Sequence, residues 1–144
     1  MKKSKYTTIL WATACIALAA AAILLLVDRT GAKAFSDIVP NADRFESCQI
    51  ICVMLDRENE MTITGQELKG VLSLLDHIQY YKQGSYGNIM EGALYHLYFS
   101  SPQTGTFPMI VSDLGMVYIG ENSYEFGPEI PADSISSYIE TLSQ

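Results

Sequence analysis

Hydrophobic and polar positions divide the chain into stretches of different period. From Thr7 to Val27, TTILWATACIALAAAAILLLV, 21 residues pass without a charge or a proline. At ~1.5 Å per residue a helix of that length reaches ~30 Å, the thickness of a bilayer's hydrocarbon core. The run predicts a transmembrane helix over residues 7–27, after a short cytoplasmic segment at 1–6. Residues 28–44, DRTGAKAFSDIVPNADR, are polar, contain Gly and Pro and hold no sustained period, which predicts a tether. Phe45 to Leu55 (FESCQIICVML) is almost continuously apolar with β-branched residues at its centre, and predicts a buried strand. A helix is the alternative, because Phe45, Cys48, Cys52 and Leu55 also share one helical face.

The charged stretch Asp56-Arg57-Glu58-Asn59-Glu60 reads as a turn. Thr64-Gly65-Gln66-Glu67 then has the form of a capping box, with Thr64 and Glu67 satisfying each other's backbone N–H groups. Leu68, Val71, Leu72, Leu75 and Ile78 follow as one apolar helical stripe, and Gly84 and Gly87 predict where the helix stops. From Ala93 the period becomes two. Leu94–Phe99, Phe107–Val111, Met116–Ile119 and Tyr124–Phe126, joined by short polar loops, predict an antiparallel meander. Pro108 places its strand at an edge or at a bulge. Pro131-Ala132-Asp133 opens a last helix whose stripe is Ile135, Tyr138, Ile139 and Leu142. The expected fold class is α+β: an N-terminal transmembrane helix, then a domain over residues 45–144 with an antiparallel sheet of four or five strands packed on one main helix, plus a C-terminal helix.

Charge changes the picture by its distribution. The net charge is -7, yet residues 35–144 hold four basic against fifteen acidic side chains, a balance of -11. Such a domain repels phosphate backbones, which excludes nucleic acid as its partner. Lys2, Lys3 and Lys5 precede the apolar run and favour a cytoplasmic amino terminus, with the C-terminal domain outside. Ala32-Lys33-Ala34 fits the small-x-small pattern of a signal-peptide cleavage site, which offers the alternative of a secreted chain starting at Phe35. Ala12-Thr13-Ala14-Cys15 loosely resembles a lipobox, without the usual Leu three before the Cys.

Cys48 and Cys52 lie four apart in a predicted strand, ~13 Å between Cα atoms, whereas a disulfide needs ~7 Å or less. Both are expected as free thiols. His77 and His96 have no Cys or His at zinc spacing. Asp76-His77 with one of the serines has the composition of a hydrolytic triad, but no nucleophile elbow accompanies it. Tyr80, Tyr81, Tyr86, Tyr95, Tyr98 and Phe99 concentrate aromatic surface near the loop from Gly84 to Gly92, the composition of a protein-binding surface.

Asp56 to Glu67, DRENEMTITGQE, resembles the calcium loop of an EF-hand. Asp56, Glu58, Glu60 and Glu67 fall at loop positions 1, 3, 5 and 12, with Ile63 at position 8. Met61 stands at position 6, where the loop needs Gly, and a solvated acidic turn followed by a capping box explains the same residues. Over residues 45–142 the element order is similar to cystatin-like sheets that wrap one helix. It also resembles small membrane-anchored or lipidated extracytoplasmic domains of unknown function from Gram-positive bacteria. Element order implies architecture and location but transfers no functional residue.

The expectation is therefore a single-pass, membrane-anchored extracytoplasmic binding or interaction module without catalysis, whose partner is another extracytoplasmic or membrane protein. Two alternatives accompany it: a calcium-dependent sensor or scaffold built on residues 56–67, and a secreted enzyme inhibitor with a cystatin-like fold. No catalytic residue, cofactor-binding residue or metal ligand is assigned.

Overall fold

The computed structural model describes residues 3–54, 57–85 and 92–143, and within them the side chains of 13–26, 31–53, 58–84 and 92–143. The chain forms two compact units, residues 1–31 and 32–144. The first is a single helix, α1 (Lys3–Thr30). Its described side chains are exposed throughout, among them Ile16, Leu18 and the run Ile23 to Leu26. Among the described residues no helix is long and apolar enough to cross a membrane. Residues 7–12 and Val27 of the expected span lie outside those whose side chains are described.

The second unit is an α+β domain around one seven-stranded antiparallel sheet. Its elements are α2 (Phe35–Ile38), β1 (Ser47–Met54), β2 (Arg57–Thr64), α3 (Gly65–His77), β3 (Tyr80–Ser85), β4 (Leu94–Ser101), β5 (Gly105–Ser112), β6 (Met116–Ile119), β7 (Asn122–Phe126) and α4 (Ser134–Leu142). The strand order is β2-β1-β4-β5-β6-β7-β3. Helix α3 therefore connects the two edges of the sheet, leaving β2 on one side and delivering β3 on the other.

Two strands exceed the four or five expected, and both edges account for the difference. The charged stretch after Asp56 is not a turn but β2, paired with β1 from Met54↔Arg57 to Ser47↔Thr64. Glu58, Glu60 and Thr62 are exposed, while Met61 and Ile63 turn toward the core. This is the alternation of a half-buried edge strand, with charge on its solvent side. At the other edge, α3 stops at His77 instead of near Gly84, and Tyr80–Ser85 pairs with β7. Tyr80 is wholly buried, packs edge-on against Phe126 at 5.9 Å and donates its hydroxyl to the Leu75 carbonyl at 2.8 Å. A buried phenol needs such an acceptor, and strand geometry supplies it.

The expected tether also joins the domain. Phe35 and Val39 are each 1% exposed, and Phe35 lies against Tyr80 and Phe99. Lys33 pairs with Tyr80 as an isolated bridge beside β3. Thr64 does occupy the N-cap of α3, but its side chain makes no capping hydrogen bond, so the expected capping box is not formed. Pro108 lies within an interior strand, past the end of the β5–β6 pairing, which covers Met109 to Val111; β6 asks no N–H of it there.

Helices α3 and α4 pack on one face of the sheet. Opposed pairs on that face link Met61, Ile50, Leu97, Met109 and Ile119 across five strands. The stripe Leu68, Val71 and Leu75 of α3 and Ile135 and Ile139 of α4 close over them. Full burial of each such side chain is worth roughly 1.5–3 kcal/mol, so this layer, with Phe45 stacked on Phe99 at 5.1 Å, carries the domain.

Candidate functional site

The side chains alternating with that core point to the other face of the sheet, where no described helix of residues 32–144 packs. Strand pairing sets Glu60, Ile51, His96, Ile110, Tyr118 and Ser123 directly opposite one another across six strands. With ~4.8 Å between strands the row runs roughly 24 Å. A second row places Gln49 beside Tyr98 and Tyr98 beside Pro108, and a third places Val53 between Glu58 and Leu94. Ile51, His96, Tyr98, Ile110 and Tyr118 are half-buried and Val53 is 40% exposed. They shelter one another sideways, and the face stays open to an incoming surface.

The rim of this face is acidic and amide-rich. The Gln49 side-chain amide donates to Glu60 Oε1 at 2.6 Å at the β1–β2 edge. Toward the opposite edge, Gln83 donates to Glu125 Oε2 at 2.8 Å, and Glu125 stands opposite both Met116 and Tyr81. None of the described strand residues on this face is Lys or Arg. An apolar centre of β-branched and aromatic side chains within a polar rim is the anatomy of a protein contact surface.

The aromatic concentration expected as a binding surface is thereby divided. Tyr80, Tyr95 and Phe99 are buried on the helix side, Tyr81 and Tyr98 lie on the open side, and Tyr86 is outside the described residues. Ile51, Ile110 and Tyr118 belong to the surface and were not singled out from the sequence. Their signal was there: each alternates with a core residue, and only the strand order brings them together.

The residues of the EF-hand resemblance are spread out. Glu58 and Glu60 sit on extended β2, while Glu67 lies in the first turn of α3, seven positions beyond Glu60. Asp56 is outside the described residues. A strand rising ~3.4 Å per residue does not bend its carboxylates around one ion. Among the described residues no group of three His, Cys, Asp or Glu side chains is placed to hold a metal. Asp76 and His77 face different partners. Asp76 Oδ1 accepts the Ser36 backbone N–H at 3.4 Å, and His77 Nδ1 lies 2.6 Å from the Ser73 carbonyl.

Cys15, Cys48 and Cys52 are free thiols. Burial pushes the Cys48 thiol up to about 12, and burial also raises that of Cys52, against a hydrogen bond with Tyr95 that lowers it. Tyr95 donates to Glu140 Oε1 at 3.0 Å, tying β4 to α4, and its phenol is raised chiefly by burial and then by that carboxylate. These groups are held protonated, which is the state for packing and not for nucleophilic attack. No family model, curated protein or solved structure matches the chain.

Proposed function

We propose that this protein is a single-pass membrane protein, amino terminus in the cytoplasm, whose residues 32–144 act outside the cell as a non-catalytic binding module. The open face of the sheet is its contact surface. The observation that carries this reading is the row Ile51, His96, Ile110 and Tyr118, an apolar and aromatic strip on four neighbouring strands, on the face opposite to the one that α3 and α4 cover. Its partner is a protein surface that is apolar at its centre and basic at its edge. The acidic rim favours such a partner, and a balance of -11 over residues 35–144 disfavours a second copy of the chain.

The membrane part rests on α1. Leu24 is 69% exposed and its neighbours Ile23, Leu25 and Leu26 are exposed too, on all sides of the helix. Apolar surface of that extent is stable in lipid and costly in water. Lys2, Lys3 and Lys5 orient it.

Two measurements test the proposal together. Alkaline extraction of membranes should leave the full-length chain in the pellet, and a chain beginning at Phe35 in the medium would overturn the anchor. A photo-crosslinking residue at Ile110 should give a discrete adduct in intact cells, and one at Lys69 on the exposed side of α3 should give none. Equal labelling from both positions would remove the sheet face as the contact surface.

A further inference from the structure

On the helix side of the domain, away from the open sheet face, a groove of about 380 Å³ lies between α3 and the segment running from α2 into the turn after it. We infer that this groove receives a lysine or arginine side chain from a partner polypeptide. Its floor is apolar, made by Phe35, Val39 and Leu72, and its walls carry the carboxylates of Asp43 and Asp76. Among the described residues no Lys, Arg or His lines it.

The chemistry of the occupant follows from that division. A long basic side chain has an aliphatic stem that packs on an apolar surface and a charged head that seeks carboxylates. Both halves find their match here. A neutral aliphatic side chain would satisfy the floor and leave the two carboxylates unanswered. An acidic one would meet like charge from the walls and from residues 35–144, whose balance is already -11. The volume lies at the lower end of ligand pockets, enough for one long side chain and part of its neighbour.

The fold holds both walls in place. Asn41 takes a left-handed conformation, φ 65°, the only positive φ among the described non-glycine residues. That conformation, which Asn tolerates, turns the chain from α2 into the Ala42–Arg44 turn and sets Asp43 across from α3. Asp76 is anchored by the Ser36 N–H through only one oxygen, at 3.4 Å. Asp37 accepts the Ala34 N–H at 3.0 Å and closes the start of α2, so α2 donates one long hydrogen bond to Asp76 and its cap does not draw on Asp43.

The test uses the full chain in detergent micelles, titrated calorimetrically with three capped tripeptide amides, Leu-Arg-Leu, Leu-norleucine-Leu and Leu-Glu-Leu. The arginine peptide should bind saturably, at least about tenfold more tightly than the norleucine peptide, with no binding of the glutamate peptide. Its affinity should drop several-fold between about 0.1 and about 0.5 M salt. Asp43→Asn with Asp76→Asn should erase the preference for arginine over norleucine. Leu72→Arg, which puts a tethered cation and added bulk into the groove while keeping both carboxylates, should abolish binding and serves if the double variant does not fold. Equal affinity for the arginine and norleucine peptides, retention of the arginine preference in either folded variant, or no binding up to about 10 mM would each overturn the inference.

Discussion

Lys33 and Tyr80 exchange two backbone hydrogen bonds, each 2.9 Å long, so the chain just after α1 is already paired with the β3 edge of the sheet. The domain thus begins before Phe35. A chain starting at Phe35 loses both bonds and the Ala34 N–H contact to Asp37. At a net value of about 1 kcal/mol per bond, it should be less stable than a chain starting at Ala32 by roughly 1–3 kcal/mol. Denaturant unfolding of the two should show this as a lower midpoint at unchanged slope. Coincident curves would mean that the bridge contributes nothing.

The contact between α3 and α4 makes a second prediction. A Cβ on Gly70 would meet the Tyr138 hydroxyl and lie 3.1 Å from its Cζ. In a free helix Gly→Ala stabilises by about 1 kcal/mol, but here the ring must move. Gly70→Ala alone should lower the melting temperature. Combined with Tyr138→Phe, which removes the colliding oxygen, it should recover most of the loss. A simple gain from Gly70→Ala alone would show that α4 yields freely.

Stability should also fall in alkali. Cys48, Tyr80 and Tyr95 all have folded values raised by burial above their ordinary 9.0 or 10.0. Each favours the fold fully at pH values below its ordinary value. Above that pH the unfolded chain ionises while the folded one does not, so stability is lost as pH rises toward the folded value. For Cys48 the window runs from 9.0 to about 12, with a slope of about 1.4 kcal/mol per pH unit for each such group. Unfolding free energy should be flat with respect to these groups from pH 7 to 9 and decline beyond it, less steeply in Cys48→Ala. Equal slopes for the two chains would contradict the burial of Cys48.

Calcium should leave the domain unchanged. With Glu58 and Glu60 on a strand and Glu67 on a helix, the carboxylates share no ion, and ligand-linked stabilisation of RT ln(1 + [L]/Kd) is absent at millimolar calcium. Melting in calcium and in chelator should coincide. A shift of several degrees that Glu67→Gln abolishes would restore the sensor reading.

What was legible in the sequence follows from where each signal is local. Leu68, Val71 and Leu75 repeat at helical spacing, and Leu94 to Ser101 alternates, so α3 and β4 declare themselves. β2 was hidden because Glu58 and Glu60 make the solvent side of its alternation look like a charged turn. Ile78 continues the apolar stripe of α3 and masked the change to β3, which is decided by Tyr80 finding Phe126 and the Leu75 carbonyl, distant partners that no local pattern names. Phe35 and Val39 are four apart on a single turn between Gly31 and Pro40, too short for a period to show. The open face was the least legible part, since Ile51, His96, Ile110 and Tyr118 meet only through strand order.

The most direct test of that face is hydroxyl-radical footprinting of the full-length chain, once in its native membranes and once purified in detergent. The account predicts that Tyr98 and Tyr118 are labelled in the purified protein and protected in membranes, while Lys69 and Gln66 on α3 are labelled equally in both. Equal labelling of Tyr98 and Tyr118 in the two preparations would contradict it.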